Sequence, residues 1–316
     1  MMNNEHNVSR QMRKKPPFRN RNARLSRGDV TFEIVVVVLL SIVALIIVYP
    51  LIYVISASFS DAIGVTAGKM VLWPVDPTLS NYAEVFKNAS IMTGYKNSLI
   101  ILFMGTAFNL VMTILAAYPL SRKNLWGRDV LMKVITFTMF FSGGLIPVYL
   151  MVAKTLGLTN SWGALILPGS VSVYNLIIMR TFFTTSIPYE LQEAAEIDGA
   201  SHFMTLIRIM LPLSGPIVAV IALYYGVGHW NSYFSAMLYI SEEALQPLQL
   251  FLRKVLIINS AQSLMDMGSD EAARQAMRAE VIKYAVIVLS SLPMLIIYPF
   301  VQRFFVKGVM IGSVKG

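Results

Sequence analysis

With 56% of its 316 residues hydrophobic, only 14% charged and a mean hydropathy of +0.62, the chain is too apolar for a soluble globular domain and fits one whose solvent is mostly lipid. The lack of any cysteine removes disulfides, thiolate metal sites and cysteine nucleophiles together. The net charge of +9 is densest in an N-terminal run, Arg10, Arg13, Lys14, Lys15, Arg19, Arg21, Arg24 and Arg27, which abuts an apolar stretch and so reads as a topology signal drawn to anionic lipid rather than as a nucleic-acid surface.

Residues 1–29 are expected to form a basic cytoplasmic tail, and 30–316 a transmembrane domain of six helices, an all-α membrane protein. A spanning helix needs about 20 apolar residues at 1.5 Å rise each. Six stretches meet that requirement with no Asp, Glu, Lys or Arg inside them: 34–55, 98–120, 134–153, 161–179, 213–240 and 284–301. The first is 22 residues long with an extended basic lead, a poor fit to a signal peptide, and is expected to be retained. The fourth holds Pro168, Gly169 and several hydroxyls, so it is expected to be kinked or buried among the others, where neighbours can satisfy freed backbone groups.

Lys and Arg then set the orientation. The N-terminal tail, the loop bearing Arg122, Lys123, Arg128 and Lys133, and the C-terminal Arg303, Lys307 and Lys315 are assigned to the cytoplasm, which puts both termini there. Segments 56–97, 154–160 and 241–283 fall outside. In the last of these, Leu248, Phe251, Leu252, Val255 and Leu256 share one helical face, and 271–283 is rich in helix formers leading into the final span. Both are expected to pack over the bundle or to touch a partner.

The segment from Pro188 to Pro216 sets four carboxylates, Glu190, Glu193, Glu196 and Asp198, against a single Arg208 between two apolar stretches. Pro188 suits a first helical position, and Glu190 lies where the helix dipole favours an acid. Leu191, Ala194, Ala195 and Asp198 follow the i, i+3, i+4, i+7 rule, giving a face with small residues in its middle that another surface can approach. Gly199 supplies a left-handed stop, and Ser201 can cap a second helix through Phe203, Leu206, Ile207 and Met210 that Leu211 and Pro212 end. A helix–turn–helix projecting from the membrane as a docking element is the expectation.

The string EAAEIDGASHFMTLIRIMLPLSGP at 193–216 resembles the EAA loop of binding-protein-dependent ABC import permeases. Glu193, Ala194, Ala195, Asp198, Gly199, Ala200, Ile209, Leu211 and Pro212 carry the match. WNSYFSAMLYI at 230–240, PLQLFLRK at 247–254 and QRFFVKGVMIGSVKG at 302–316 are similar to the carbohydrate uptake type 1 branch, and the similarity covers residues 30–316. The segment 140–169 is similar to the LplC/YtcP-like oligosaccharide permeases within that branch. The resemblance implies a type I ABC importer permease fold with a cytoplasmic coupling loop at 186–212. It further implies a bacterial cytoplasmic membrane, a second permease completing a heterodimer, two ATP-binding subunits that use ATP and Mg, an extracytoplasmic solute-binding protein and a carbohydrate substrate. Glu193 would then sit near basic groups in a groove of the ATPase, with Gly199 shaping the turn between coupling helices.

The chain itself has no GxxxxGK[ST] loop, so ATP is expected on another polypeptide. His6, His202 and His229 have no metal-site spacing, and no G-x-S-x-G elbow occurs, so neither a catalytic centre nor a bound cofactor is expected. His229, inside the fifth stretch, reads as a packing residue or a proton relay. Spans free of ionisable carboxylates disfavour coupling to an ion gradient; a secondary carrier or channel not powered by ATP is the alternative, and it leaves the acidic loop unexplained. Sugar recognition needs hydroxyl, amide and aromatic groups facing a water-filled cavity. Tyr174, Asn175, Trp230, Asn231 and Tyr233 are the candidates, against a plainer reading as helix-packing or interfacial side chains.

Overall fold

The computed structural model describes residues 27–254 and 281–299, with Met277 and Gln302 besides. Within these, all regular structure is helical. The basic cluster before Arg27, Val255 and Leu256, most of the 271–283 stretch and the C-terminal basic tail lie outside the described residues.

The chain divides into two compact units, 1–52 and 53–316. The first contributes most of helix α1 (Arg27–Ser58), whose dipole is met by Asp29 in its first turn. Its most apolar window has no buried residues, so Val35, Leu39, Leu45 and Ile46 all stand exposed.

The second unit begins with two short helices, α2 (Ala62–Thr66) and α3 (Ser80–Lys87), and is organised around α4 (Ala89–Ser121). Asn88 caps α4 by accepting from the backbone N–H groups of Ser90 and Ile91, and its 33 residues reach about 50 Å, well beyond a hydrocarbon core of about 30 Å. Next come α5 (Arg128–Phe140) and α6 (Leu145–Leu150), the latter running into a π turn at Met151–Thr155. Between them Gly144 at φ +85 helps turn the chain by 109°. Helices α7 (Gly163–Ile166), α8 (Val173–Thr185) and α9 (Glu190–Ile197) follow. Then α10 (His202–Thr205), a π turn at Leu206–Met210 and α11 (Leu211–Leu213) form one piece, which meets α12 (Gly215–Trp230) at 86°. The unit closes with α13 (Tyr233–Tyr239), α14 (248–254) and α15 (Val281–Pro299).

Among the described residues three helices are long and apolar enough to cross a membrane, or five if each bent pair counts as one span. The stretches 34–55 and 98–120 each lie within a single helix, and 284–299 lies within α15. The stretch 161–179, expected to be kinked at Pro168 and Gly169, is fully interrupted there: α7 stops at Ile166 and α8 starts at Val173, because Pro168 cannot donate a backbone hydrogen bond and Gly169 disfavours helix. The stretch 213–240 is likewise interrupted at Asn231 and Ser232, between α12 and α13.

The core lies where α4, α8 and α12 meet. Ile114, Ala117, Leu176, Met179, Phe183, Met210 and Ile221 form one buried cluster there, while Leu102, Trp230, Leu248, Leu252, Ala285 and Val286 form a second toward the start of α4. Lipid tails provide no hydrophobic drive between helices, so association rests on close packing of small residues. Gly105 on α4 faces the His229 ring of α12 so closely that a Cβ there would fall 2.5 Å from Nε2.

Candidate functional site

Two places combine unusual chemistry with unusual backbone. The first is the hairpin from α9 to α11. Helix α9 ends on Gly199 at φ +75, with the Ala200 N–H donating to the Ala195 carbonyl at 2.9 Å and the Gly199 N–H to the Glu196 carbonyl at 3.1 Å. That pair of bonds is a Schellman stop, which satisfies carbonyls the helix would otherwise leave open. Ser201 then accepts from the Met204 N–H at 3.3 Å and caps α10. The second helix departs from expectation, since Leu211 and Pro212 sit inside helical structure and the chain turns at Ser214 instead. The π turn before Pro212 widens the backbone where its ring would crowd a preceding carbonyl.

Arg122, the C-cap of α4, holds this hairpin from below. It is buried; Nη1 donates to Gln192 Oε1, Nη2 donates to Glu196 Oε1 at 2.6 Å and lies 3.3 Å from His202 Nδ1. Gln192 and Glu196, four residues apart, share the inner face of α9, and Gln192 Nε2 points at Met210 Sδ, 3.4 Å away. Lys123 stacks its ammonium 4.4 Å from the Tyr189 ring centre. The inner face of α9 is thereby tied to the end of α4, with Ala195 buried beneath it. The outer face carries Glu190, Glu193, Ala194 and Asp198 with Ile197 and Gly199, all exposed. Ala200, Ile209 and Leu211 are half-buried and Pro212 is exposed. Since Glu196 is neutralised by Arg122, the outward charge comes from Glu190, Glu193 and Asp198, which form no ion pair among the described residues. Arg122 was legible in the sequence only as an orientation signal, although the Gln192/Glu196 spacing does mark a face that seeks a donor.

The second place is the break between α7 and α8. Its freed backbone groups are met by side chains from flanking helices: Asn109 Nδ2 of α4 donates to the Gly169 carbonyl at 2.7 Å, and the Ser172 N–H donates to Tyr225 Oη of α12 at 2.9 Å. Tyr225 Oη in turn pairs with Thr113 Oγ1 at 2.6 Å. Irregular backbone at membrane depth survives only when satisfied in this way or beside a cavity, and here both conditions hold. A cavity of about 690 Å³ opens beside the break. Of the sequence candidates, Tyr174, Asn175 and Asn231 line it. Trp230 and Tyr233 do not: Trp230 is 2% exposed and donates from Nε1 to the Ser290 carbonyl at 3.0 Å, and Tyr233 lies under the Arg253 guanidinium, 5.6 Å from its ring centre. Asn109, Ser172 and Tyr225 were missed, although an amide within an apolar span such as Asn109 is itself a signal.

The profile described as binding-protein-dependent transport system inner membrane component matches residues 109–311. The chain is 41% identical over 287 residues to the polygalacturonan/rhamnogalacturonan transport system permease protein YtcP of Bacillus subtilis (strain 168), covering 90% of this chain and 98% of that one. It is also 41% identical over 285 residues to Protein LplC of the same organism, covering 90% and 95%. Among solved structures it is similar to a chain of a bacterial ABC transporter involved in the import of the acidic polysaccharide alginate, at 34% identity and a TM-score of 0.79, covering 92% of this chain and all of that one.

Proposed function

The chain belongs to the family of binding-protein-dependent transport system inner membrane components, and we propose that it is the permease subunit that forms half of an ATP-driven pathway for a carbohydrate, an oligosaccharide by the names of its relatives. As a family member it is a multi-pass membrane transport subunit rather than an enzyme. Its partners under this reading are a second permease, two ATP-binding subunits that hold the ATP and Mg, and an extracytoplasmic solute-binding protein. Both termini and the α9–α11 hairpin face the cytoplasm.

The observation that carries the reading is the two-faced hairpin. Its inner face is bonded to α4 through Arg122, while its outer face offers Glu190, Glu193 and Asp198 around small Ala194. An acidic surface joined rigidly to a spanning helix is suited to receive movement from a basic groove and pass it into the bundle. Glu193→Lys reverses charge on that outer face without touching the Arg122 cluster. We expect it to insert and fold normally, to lose the ATP-binding subunits on purification in mild detergent, and to lose ATP-dependent uptake in vesicles of the assembled complex. Uptake at the original rate with the partner retained would refute the coupling role, and solute movement by the purified chain without ATP would favour a carrier or channel.

A further inference from the structure

We infer that the cavity beside the α7–α8 break is a subsite on this subunit for an uncharged pyranose unit, with Asn175 reading its hydroxyls. The inference rests on the importer reading and narrows it to a substrate class for this wall of the pathway.

Asn175 is 4% exposed and lines the cavity, yet its carboxamide has no hydrogen-bond partner among the described residues. Asn109, in the same lining, is 2% exposed; its Nδ2 serves the Gly169 carbonyl and its Oδ1 is sealed from the cavity, so it holds the wall rather than meeting a ligand. The Asn175 carboxamide is not among the sealed, partnerless groups of the interior, so it meets the cavity itself and stands ready to bond an incoming group there. A carboxamide offers two donors and an acceptor, which matches vicinal hydroxyls, each at once donor and acceptor. The rings of Tyr174 and Tyr224 stand at the same cavity with centres 6.2 Å apart and 40° between planes. Both rings are substantially exposed and present apolar faces to the C–H surface of a sugar. The volume of about 690 Å³ falls within the roughly 300–1,000 Å³ of small-molecule sites.

The lining also selects against charge. Among the described residues it contains no Lys or Arg, and the His229 ring on this wall is packed against Gly105. A carboxylate moved here from water would have no guanidinium or ammonium to replace its hydration, a steep penalty. An acidic saccharide such as those named for two of the relatives would therefore find its charge partners elsewhere in the assembly.

The chain's lack of cysteine makes the test direct. Ser235→Cys puts a unique thiol of this subunit on the cavity wall. Its modification by a small neutral thiol reagent is followed in the assembled permease–ATPase complex in vesicles, without binding protein, and corrected for the unsubstituted complex. The probes are a panel of neutral tri- to pentasaccharides and the uronides of matching linkage. At least one neutral saccharide is expected to slow modification in a saturable way while its uronide does not, and adding Asn175→Leu should raise the half-protecting concentration about tenfold, the loss of a buried hydrogen bond. Should that variant fail to assemble, Tyr174→Leu on the exposed side carries the same test. Protection by no neutral saccharide, equal protection by uronides, or an unchanged half-protecting concentration overturns the inference. ATP-dependent uptake measured on the same vesicles separates the two readings: its persistence without protection removes only the subsite, and its absence removes the importer.

Discussion

Arg122 is where one side chain decides how a whole hairpin is held. Its guanidinium is buried and serves Gln192 and Glu196 together, a fork geometry that a lysine ammonium cannot reproduce. Arg122→Met would leave Gln192, itself 4% exposed, without its donor, and would release Glu196, whose side chain is 37% exposed and so regains part of its hydration. The expected loss is about 2–3 kcal/mol, the scale of hydrogen bonds to a charged group with one neutral partner orphaned. It would be read as a lower unfolding midpoint in detergent, with Arg122→Lys recovering part of it. A midpoint unchanged by Arg122→Met would mean that α9 is held by its apolar face alone.

At the scale of elements, what the sequence made legible and what it hid divide by the range of the interactions. The stop at Gly199 and the cap at Ser201 depend on residues within one turn, and both form as the spacing predicts. The interrupted fourth span is different, because Asn109 and Tyr225, distant in sequence, are what make a break at Pro168 tolerable. Trp230 and Tyr233 went astray for a related reason: the helix breaks at Asn231 and Ser232, so side chains adjacent in sequence no longer share the direction a continuous helix would give them. Close helix pairs carry the most exposed prediction at this scale. Gly105→Ala puts a Cβ 2.5 Å from His229 Nε2, which forces α4 and α12 apart or displaces the ring, and overpacking of this kind typically costs about 1–3 kcal/mol. Combining it with His229→Ala removes the clash, so the double variant should be less destabilised than the sum of the two singles. Additive midpoint shifts would show that the ring moves aside freely.

For the 53–316 unit as a whole, α4 joins two polar clusters at its opposite ends, and these specify sidedness. At its C-terminal end Arg122 gathers Gln192, Glu196 and His202. Toward its N-terminal end Asn97 donates to the carbonyls of Ala244 and Gln246, Ser98 accepts from the Leu248 N–H, and Asn160 accepts from the N–H groups of Ser241 and Glu242. The loop following α4 and the α9 hairpin therefore lie on one side of the membrane, while the loops at 160 and 241–247 lie on the other, since α4 is long enough to cross it. Under the proposed reading, the Lys and Arg of the loop after α4, Arg122, Lys123 and Arg128, put the hairpin side in the cytoplasm. The consequence is measurable in whole cells, again because no native cysteine interferes. A membrane-impermeant maleimide should label Thr159→Cys from outside, and should reach Asn124→Cys and Asp198→Cys only after the membrane is opened; all three positions are exposed on the chain. Because the contacts across Arg122 bind the last two to one side, they must change together. Labelling of Asn124→Cys and Asp198→Cys from outside would invert the orientation, whereas labelling of only one would contradict the Arg122 cluster itself.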